Sequence, residues 1–330
     1  MASPQLPSPP CQPSPSTPST SAPCTPLATP LEAIPPPWHV RGDIYCISFW
    51  SGSKSSSLPA HAFSPLEAGS PFAGGAADGA PAASHSVPRG LGMIQIIRYH
   101  ESPVGPYDEM LLVPGSFDWS GAGAADAAGA GPGKTRRRVG RSPRISRMYV
   151  SDRRACYNGR LNWNCPKHLA RFVWTPGPNG AMSVSVYPHD ANHSADPLET
   201  KPASSPFFQA SFSPLRAAPV FPFATRWLGW LGLDTTLVMP PLPAGLAPEL
   251  PGTRRWCSFM PQQYSRRTRL GWFDLAQPEN TAGLEKSGAD HGAYHHFWPA
   301  LGRWALGCKM EDADVVFDMP QATWAPRAKL

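Results

Sequence analysis

One lysine stands where a side-chain amine could act as a nucleophile. Lys167 follows Pro166 and opens the segment Lys-His-Leu-Ala-Arg-Phe-Val-Trp, whose apolar residues favour a buried lysine stem. Burial disfavours the charged form of an amine and therefore lowers its pKa. A neutral lysine amine can attack a carbonyl carbon and form a Schiff base. The segment predicts a Schiff-base lysine, and the alternative is a buried, salt-bridged lysine without chemistry.

A carboxylate upstream is the second candidate for chemistry. It lies in the segment Val-Gly-Pro-Tyr-Asp-Glu-Met-Leu-Leu-Val, which contains Tyr107 and Glu109. Gly105-Pro106 predicts a turn, and the apolar run that follows predicts a strand ended by Pro114-Gly115. Glu109 lies at the start of this strand, a position from which a carboxylate can face a cavity.

Together the two segments resemble the acetoacetate decarboxylase superfamily. The Pro-Lys-His-Leu-Ala run is similar to that of a divergent eukaryotic branch, which includes a plant protein implicated in neoxanthin accumulation. The resemblance implies that Lys167 is the Schiff-base lysine and Glu109 the acidic residue of the site. It also implies a cone-shaped antiparallel β-barrel that encloses a pocket, and a homo-oligomer. The residues that carry the resemblance are Tyr107, Glu109, Gly159, Arg160, Pro166, Lys167 and Leu169.

His168 departs from the family pattern. Family decarboxylases carry a second lysine directly after the catalytic one, and its charge helps to lower the pKa of the first. Histidine has an ordinary pKa of about 6.5 and is mostly neutral at pH 7, so this permanent cation is missing. Lowering a lysine pKa to about 7–8 requires roughly 3–4 kcal/mol. Burial alone, or Arg160 or Arg171, would have to supply it.

Two functions of different classes follow. In the first, a lyase, Lys167 attacks a keto acid or ketone, and the resulting iminium accepts electrons during bond cleavage while Glu109 moves protons. Arg160 either anchors a substrate carboxylate or is a structural partner of an acidic residue, and Tyr107 and His168 are further substrate-binding candidates. In the second, a pocket binds or processes a lipophilic ligand such as an isoprenoid, carotenoid or acyl ester. Most of the tryptophans are expected to fill the core, and a surplus that lined a large pocket would favour the second function. No metal or organic cofactor is expected.

Proline-rich and low-complexity segments predict the domain organisation. Much of the proline lies in residues 1–37, which cannot build a core and are predicted to be a disordered tail. The acetoacetate decarboxylase-like domain is predicted over residues 38–319, with mobile insertions at about 51–89 and 120–142. Residues 320–330 form a predicted C-terminal tail.

Short β-branched or aromatic runs, bounded by proline, glycine or serine, predict a mainly β domain. No stretch of twelve or more residues shows a clean helical period with capping residues. Strands at this spacing indicate a sandwich or a barrel. The predicted strands are Ile44–Trp50, Gly92–Tyr99, Met110–Val113, Ile145–Ser151, Leu169–Trp174, Met182–Tyr187, Phe207–Phe212, Trp256–Met260, Leu270–Leu275 and Val315–Phe317.

Charge and cysteine content weigh against several classes of protein. Most of the net charge of +6 lies in one arginine-rich run, 134–147, which is predicted to be a solvated loop and does not favour a nucleic-acid partner. The seven cysteines are scattered without a Cys-x-x-Cys pair. Together with the lack of a signal peptide or transmembrane run, they indicate a cytoplasmic protein. A loose phosphate-loop pattern at 128–135 and the histidines of 290–296 are predicted to be loops rather than nucleotide or metal sites.

Overall fold

The computed structural model describes residues 31–51, 62–72, 89–122, 137–190, 201–277 and 302–326. Within these residues the chain forms fifteen strands, two α-helices and two 3-10 segments. The strands are β1 (Trp38–Ser51), β2 (Gly90–Glu101), β3 (Tyr107–Val113), β4 (Ser116–Ala122), β5 (Arg137–Pro143), β6 (Arg147–Val150), β7 (Lys167–Pro176), β8 (Met182–Pro188), β9 (Phe208–Pro214), β10 (Phe221–Ala224), β11 (Leu237–Met239), β12 (Trp256–Phe259), β13 (Gln262–Asp274), β14 (Trp304–Phe317) and β15 (Ala322–Trp324). The helices are α1 (Pro65–Ala68) and α2 (Arg153–Trp163), and the 3-10 segments are Pro178–Gly180 and Thr225–Leu231.

Nine of the strands close into a barrel. Around the ring they follow the order β13, β14, β1, β2, β3, β6, β7, β8, β9, and β9 pairs with β13 to close it. Neighbouring strands in the ring are antiparallel except β6 and β7, which are parallel. Helix α2 connects these two strands and returns the chain to the end of the sheet where β6 began. The predicted mainly β barrel is confirmed, with one parallel pair in place of the fully antiparallel sheet that was expected.

Two hydrophobic clusters lie on opposite faces of the barrel wall. The first cluster fills the interior of the barrel. The rings of Tyr45 on β1 and Trp174 on β7 show this, since they lie 5.5 Å apart while their strands are not neighbours in the ring. The second covers the outer face of β1, β2, β3 and β6 with α2 and the three-stranded sheet β11–β12–β15. Trp163 of α2 belongs to this outer cluster and packs edge-on against Trp38. The candidate site lies in the outer cluster.

Helix α2 was not predicted from the sequence. It has only eleven residues, and Gly159 and the asparagines within it are weak helix formers. Its N terminus is fixed by Asp152, whose carboxylate accepts hydrogen bonds from the backbone N–H groups of Arg154 and Ala155 at 2.8 and 3.0 Å. The helix ends at Asn164, which takes the left-handed conformation with φ of 54°.

The described residues include parts of the predicted tail and insertions. In the predicted tail, the backbone N–H of Ile34 donates to Asn158 Oδ1 at 2.7 Å. In the first predicted insertion, residues 62–72 contain α1 and the buried side chains of Phe63 and Glu67. The second predicted insertion overlaps β4 and β5, which pair with each other. Each of the ten predicted strand segments overlaps an observed strand.

The arginine-rich run is only partly described, and two of its members are buried. Arg144 lies with its guanidinium 4.8 Å from the ring centroid of Phe117 and 5.4 Å from that of Trp256, and burial lowers its pKa to about 10. Arg147 is also buried and lies 3.8 Å from the carboxylate of Asp190. The prediction of a solvated loop is therefore wrong for these two arginines, because Arg144, in the connection between β5 and β6, and Arg147, at the start of β6, are both buried.

The remaining sequence predictions concern membranes, nucleotides and metals. None of the described helices has the length and apolar character needed to span a bilayer. The phosphate-loop pattern at 128–135 and the histidines of 290–296 lie outside the described residues. In the part of the chain that the structure describes, no three His, Cys, Asp or Glu side chains are grouped to hold a metal ion.

Candidate active site

Lys167 and Glu109 form a buried ion pair. The distance from Lys167 Nζ to Glu109 Oε2 is 2.8 Å, and the side chains are 6% and 0% exposed. Strand β6 separates them in the sheet: Glu109 on β3 pairs with Val150, and Lys167 on β7 pairs with Met148. The long lysine chain spans the two-residue offset between these positions. The two segments that the sequence motifs single out therefore meet in the fold.

Two tyrosines complete the surroundings of the ion pair. Tyr99, which the sequence did not indicate, donates a hydrogen bond to Glu109 Oε1 at 3.3 Å. The predicted residue Tyr107 presents its ring face to Lys167, with Nζ 5.6 Å from the ring centroid. Burial, and then the negative charge of Glu109, raise the pKa of both tyrosines well above the ordinary value. Both hydroxyls therefore stay protonated, and Tyr99 remains a donor to the carboxylate.

The charge state of Lys167 differs from the prediction. Burial lowers the pKa of the amine, but the negative charge of Glu109 and the hydrogen bond to it act in the opposite direction. Together, the charge of Glu109 and the hydrogen bond to it outweigh the effect of burial, so the pKa of Lys167 is raised. The prediction of a lowered pKa is wrong because it took account of the apolar neighbours of Lys167 without the carboxylate that folds against it. The amine is protonated at neutral pH while this contact holds.

Gly159 of α2 makes room for the lysine stem. A Cβ atom built on Gly159 would lie 2.5 Å from both Cδ and Cε of Lys167. Carbon atoms do not approach so closely, so any larger residue at this position displaces the lysine chain. The glycine of the Gly-Arg motif therefore has a packing role, because it lets α2 lie directly against Lys167.

Arg160 of α2 is completely buried. Its Nη1 lies 2.9 Å from Glu67 Oε1 and also donates to the backbone carbonyl of Lys167 at 3.1 Å. Its Nε and Nη2 donate to the carbonyls of Pro251 and Pro243 at 3.1 and 2.7 Å. These contacts favour the structural one of the two roles that the sequence allowed. They join α2, β7, α1 and the 240–251 segment around one guanidinium.

His168 and Glu67 form a second buried pair. His168 follows Lys167 on β7, so its side chain points to the opposite face of the strand. Its Nε2 lies 2.6 Å from Glu67 Oε2, and its Nδ1 lies 3.9 Å from Asp190 Oδ2. Burial by itself would raise the pKa of Glu67, but His168 and Arg160 outweigh it and hold that pKa at about 2. The histidine therefore belongs, with Glu67 and Arg160, to a charged cluster that anchors α1.

A cavity of about 220 Å³ lies between the barrel wall and the covering layer. Tyr99 and Glu109 form part of its wall, whereas Lys167 contacts Glu109 without lining the space. Among the described residues, no Lys, Arg or His side chain lines it. Most of the lining is apolar: Leu91, Met93, Ile97, Leu111, Val113, Ile145, Met148, Phe223, Leu228, Leu237, Phe259, Pro261, Met310 and Phe317. The other polar lining residues are Cys46, Ser48, Gln95, Cys165, Thr225, Thr235, Gln263 and Cys308.

The chain is similar in fold to solved structures of acetoacetate decarboxylases. One, from Legionella pneumophila, has 10% sequence identity and a TM-score of 0.46, and the comparison covers 91% of this chain and 92% of that chain. A second acetoacetate decarboxylase structure has 11% identity and a TM-score of 0.47, with 92% and 96% of the two chains covered. No protein-family profile and no curated protein matches the sequence. The resemblance of the Pro-Lys-His-Leu-Ala run to the eukaryotic branch stays a prediction.

Proposed function

We propose that the protein binds a small, neutral, largely apolar molecule that carries one hydrogen-bonding group, such as a ketone. The observation that carries this proposal is the cavity, whose wall is mostly apolar and includes one carboxylate, Glu109. Ligand sites in proteins commonly combine apolar walls with a few polar groups that orient the ligand. A ketone oxygen only accepts hydrogen bonds, so its partner would be a donor on the wall, such as the hydroxyl of Ser48 or Thr235, and not the Glu109 carboxylate.

The volume of the cavity favours a compact ligand. A cavity of about 150 Å³ lined by apolar side chains accommodates benzene. At about 220 Å³, this cavity has room for a molecule of roughly ten non-hydrogen atoms. A carotenoid is far larger. The volume therefore supports the smaller members of the lipophilic class that the sequence suggested.

The charge of the wall favours a neutral ligand over a keto acid. A carboxylate transferred into an apolar space loses hydration worth several kcal/mol unless a cation or several donors replace it. Arg160, the residue considered for that role, is occupied by Glu67 and three backbone carbonyls. The cation of Lys167 is already paired with Glu109. A keto acid would thus lose more on entering the cavity than a ketone of the same length.

Binding of 2-heptanone to the full chain tests this proposal. We expect saturation-transfer NMR to detect binding to the wild type, and Met93→Trp to abolish it because the indole fills a cavity wall position. Met319→Trp is the matched control, since Met319 is 62% exposed and lies away from the cavity lining. Unchanged binding in Met93→Trp, or no binding to the wild type, contradicts the proposal.

A lyase reaction through a Schiff base at Lys167 is the second candidate function. It is favoured by the 2.8 Å contact between Nζ and Glu109 Oε2, along which the amine can give its proton to the carboxylate. In an apolar site the neutral pair is less unfavourable than in water. The free amine would then attack a ligand carbonyl, and the protonated Glu109 would return its proton to the leaving hydroxyl, so that water departs and an iminium forms.

Reductive trapping tests this second candidate. If Lys167 forms a Schiff base, borohydride added in the presence of 2-heptanone attaches the ketone carbon skeleton irreversibly to Lys167, as peptide mass mapping would show. Lys167→Met should abolish the adduct, because it removes the amine that attacks the ketone. Ketone binding without any adduct at Lys167 would leave the pocket function standing and exclude the lyase.

A further inference from the structure

Two cysteines lie side by side on the wall of the cavity. Cys46 on β1 is directly opposite Cys308 on β14 in the antiparallel register. Opposite residues of neighbouring strands project to the same face, with Cβ atoms about 4.5–5.5 Å apart. Both side chains line the cavity, and both are partly exposed rather than fully buried. The pair is thus accessible to a molecule that enters the cavity.

Hydrogen-bond donors converge on the sulfur of Cys46. Gln95 Nε2 lies 4.0 Å from Cys46 Sγ, and the amide of Gln95 is held by reciprocal hydrogen bonds of 3.2 and 3.0 Å with Gln263. The hydrogen bond from Cys308 lowers the pKa of the Cys46 thiol. Burial acts in the opposite direction, and Gln95 and Ser48 add to the lowering. The net effect is a lowered pKa, so the thiolate of Cys46 is easier to form than that of an ordinary cysteine.

The other cysteines near the site differ from Cys46. Cys165 also lines the cavity, but burial raises the pKa of its thiol to about 12. Burial raises the pKa of Cys257 to about 12 as well. Cys308 forms a pair with Cys46, and the hydrogen bond between the two thiols and then burial raise its pKa. Because the thiolate is the reactive form, Cys165 and Cys257 are internal controls for the reactivity of Cys46.

We propose that Cys46 is a covalent attachment site for small apolar electrophiles whose carbon–carbon double bond is conjugated to a carbonyl. The sulfur attacks the carbon at the far end of the double bond, the S–C bond forms and the π bond breaks. The electron pair moves to the carbon next to the carbonyl, which takes up a proton in place of the one that the thiol released. The adduct has the summed composition of protein and electrophile, so no oxidant or reductant takes part. Cys308 and Gln95 position and activate the sulfur.

Labelling with N-ethylmaleimide, a compact electrophile of this class, tests the proposal. The experiment uses the full chain carrying Cys11→Ser and Cys24→Ser, so that the reacting cysteines are those in the described part, and peptide mass mapping follows each site over time. We expect Cys46 to react at least roughly tenfold faster than Cys165 and Cys257, since the thiolate fraction changes tenfold for each unit of pKa.

Variants of Cys308 distinguish activation of the Cys46 thiol by Cys308 from simple accessibility of that thiol to the label. Cys308→Ala removes a donor and should slow the labelling of Cys46 several-fold, whereas Cys308→Ser retains a donor and should restore part of the rate. Thermal unfolding of each variant verifies that the fold is intact. Equal labelling rates at Cys46 and Cys165, or a rate at Cys46 that is the same in all three proteins, would overturn the proposal. The outcome is independent of ketone binding, because labelling is measured without a ketone and reports only on the thiols.

Discussion

Replacing Arg160 by methionine is expected to lower the free energy of unfolding by about 3–5 kcal/mol, the range found when one member of a buried ion pair is removed. Glu67 would keep His168 as a partner but lose the guanidinium at 2.9 Å. The carbonyls of Pro243 and Pro251 would lose a buried donor as well. Urea unfolding at pH 7, followed by circular dichroism, measures the change.

A matched control for this prediction is Arg267→Met. Arg267 pairs with Glu311 at 2.9 Å, but its side chain is 62% exposed, so its loss should cost about 1 kcal/mol or less. Equal losses in the two variants would contradict the structural role of Arg160.

The same cluster predicts how stability depends on acid. The folded pKa of Glu67, about 2, lies below its ordinary value of 4.5. Its contribution is therefore present above about pH 4.5 and is lost as the pH falls towards 2. Arg160→Met removes one cause of the low pKa, so stability should change less with pH in this range than it does in the wild type.

Replacing Lys167 by methionine is expected to destabilise the fold by a similar amount, about 3–5 kcal/mol at pH 7. The cause is the carboxylate of Glu109, which is completely buried and, among the described contacts, would keep the hydrogen bond from Tyr99 alone. The double variant Lys167→Met/Glu109→Gln should recover part of the stability, since it leaves no charge unpaired. Urea unfolding of the three proteins measures these differences.

Because the pKa of Lys167 is raised, the free energy of unfolding should also depend on pH in the alkaline range. A raised pKa stabilises the fold below the pKa of the unfolded lysine, about 10.4, and this contribution is lost as the pH rises through the higher folded pKa. The wild type should therefore lose stability more steeply above about pH 10.4 than Lys167→Met does. Parallel curves for the two proteins in this range would show that Lys167 is not held by Glu109.

The sequence predicted the barrel and the meeting of two segments, and particular residues show why. Strand runs such as Gly92–Tyr99 carry their own alternation and turn signals, so strands could be located without knowledge of the fold. Lys167 and Glu109 could be paired only through the resemblance of their segments to a known family, because 57 residues of chain lie between them. Helix α2 is too short and too rich in glycine and asparagine to show a helical period.

The burial and ion pairs of Glu67 could not be predicted from the composition of its segment. It lies in an Ala-, Ser- and Pro-rich stretch that predicts a mobile loop, yet it is buried and pairs with both Arg160 and His168. One local signal was present: Ser64-Pro65-Leu66-Glu67 has the serine, first-turn proline and third-position glutamate typical of a helix N terminus. Its partners could not be predicted, because they come from α2 and β7, more than ninety residues further along the chain.

The polarity of the site likewise depends on long-range contacts. The apolar run after Lys167 correctly indicated burial, but the sign of its pKa shift is set by Glu109 across strand β6. The contacts of Arg160 favour a structural role for the same kind of reason, since its carbonyl partners lie in the 240–251 segment. These contacts leave the cavity wall without a described cation, which is the basis for proposing a neutral ligand.

The most direct test of this account is the affinity of 2-heptanone compared with that of heptanoate, measured by titration calorimetry at pH 7 on the wild type. Both have a seven-carbon skeleton, but only heptanoate brings a negative charge to a wall that carries Glu109 and no described cation. The account predicts that the ketone binds at least about tenfold more tightly, which corresponds to about 1.4 kcal/mol. Heptanoate binding as tightly as the ketone, or more tightly, would contradict it and would direct attention to keto acids as the substrates of Lys167.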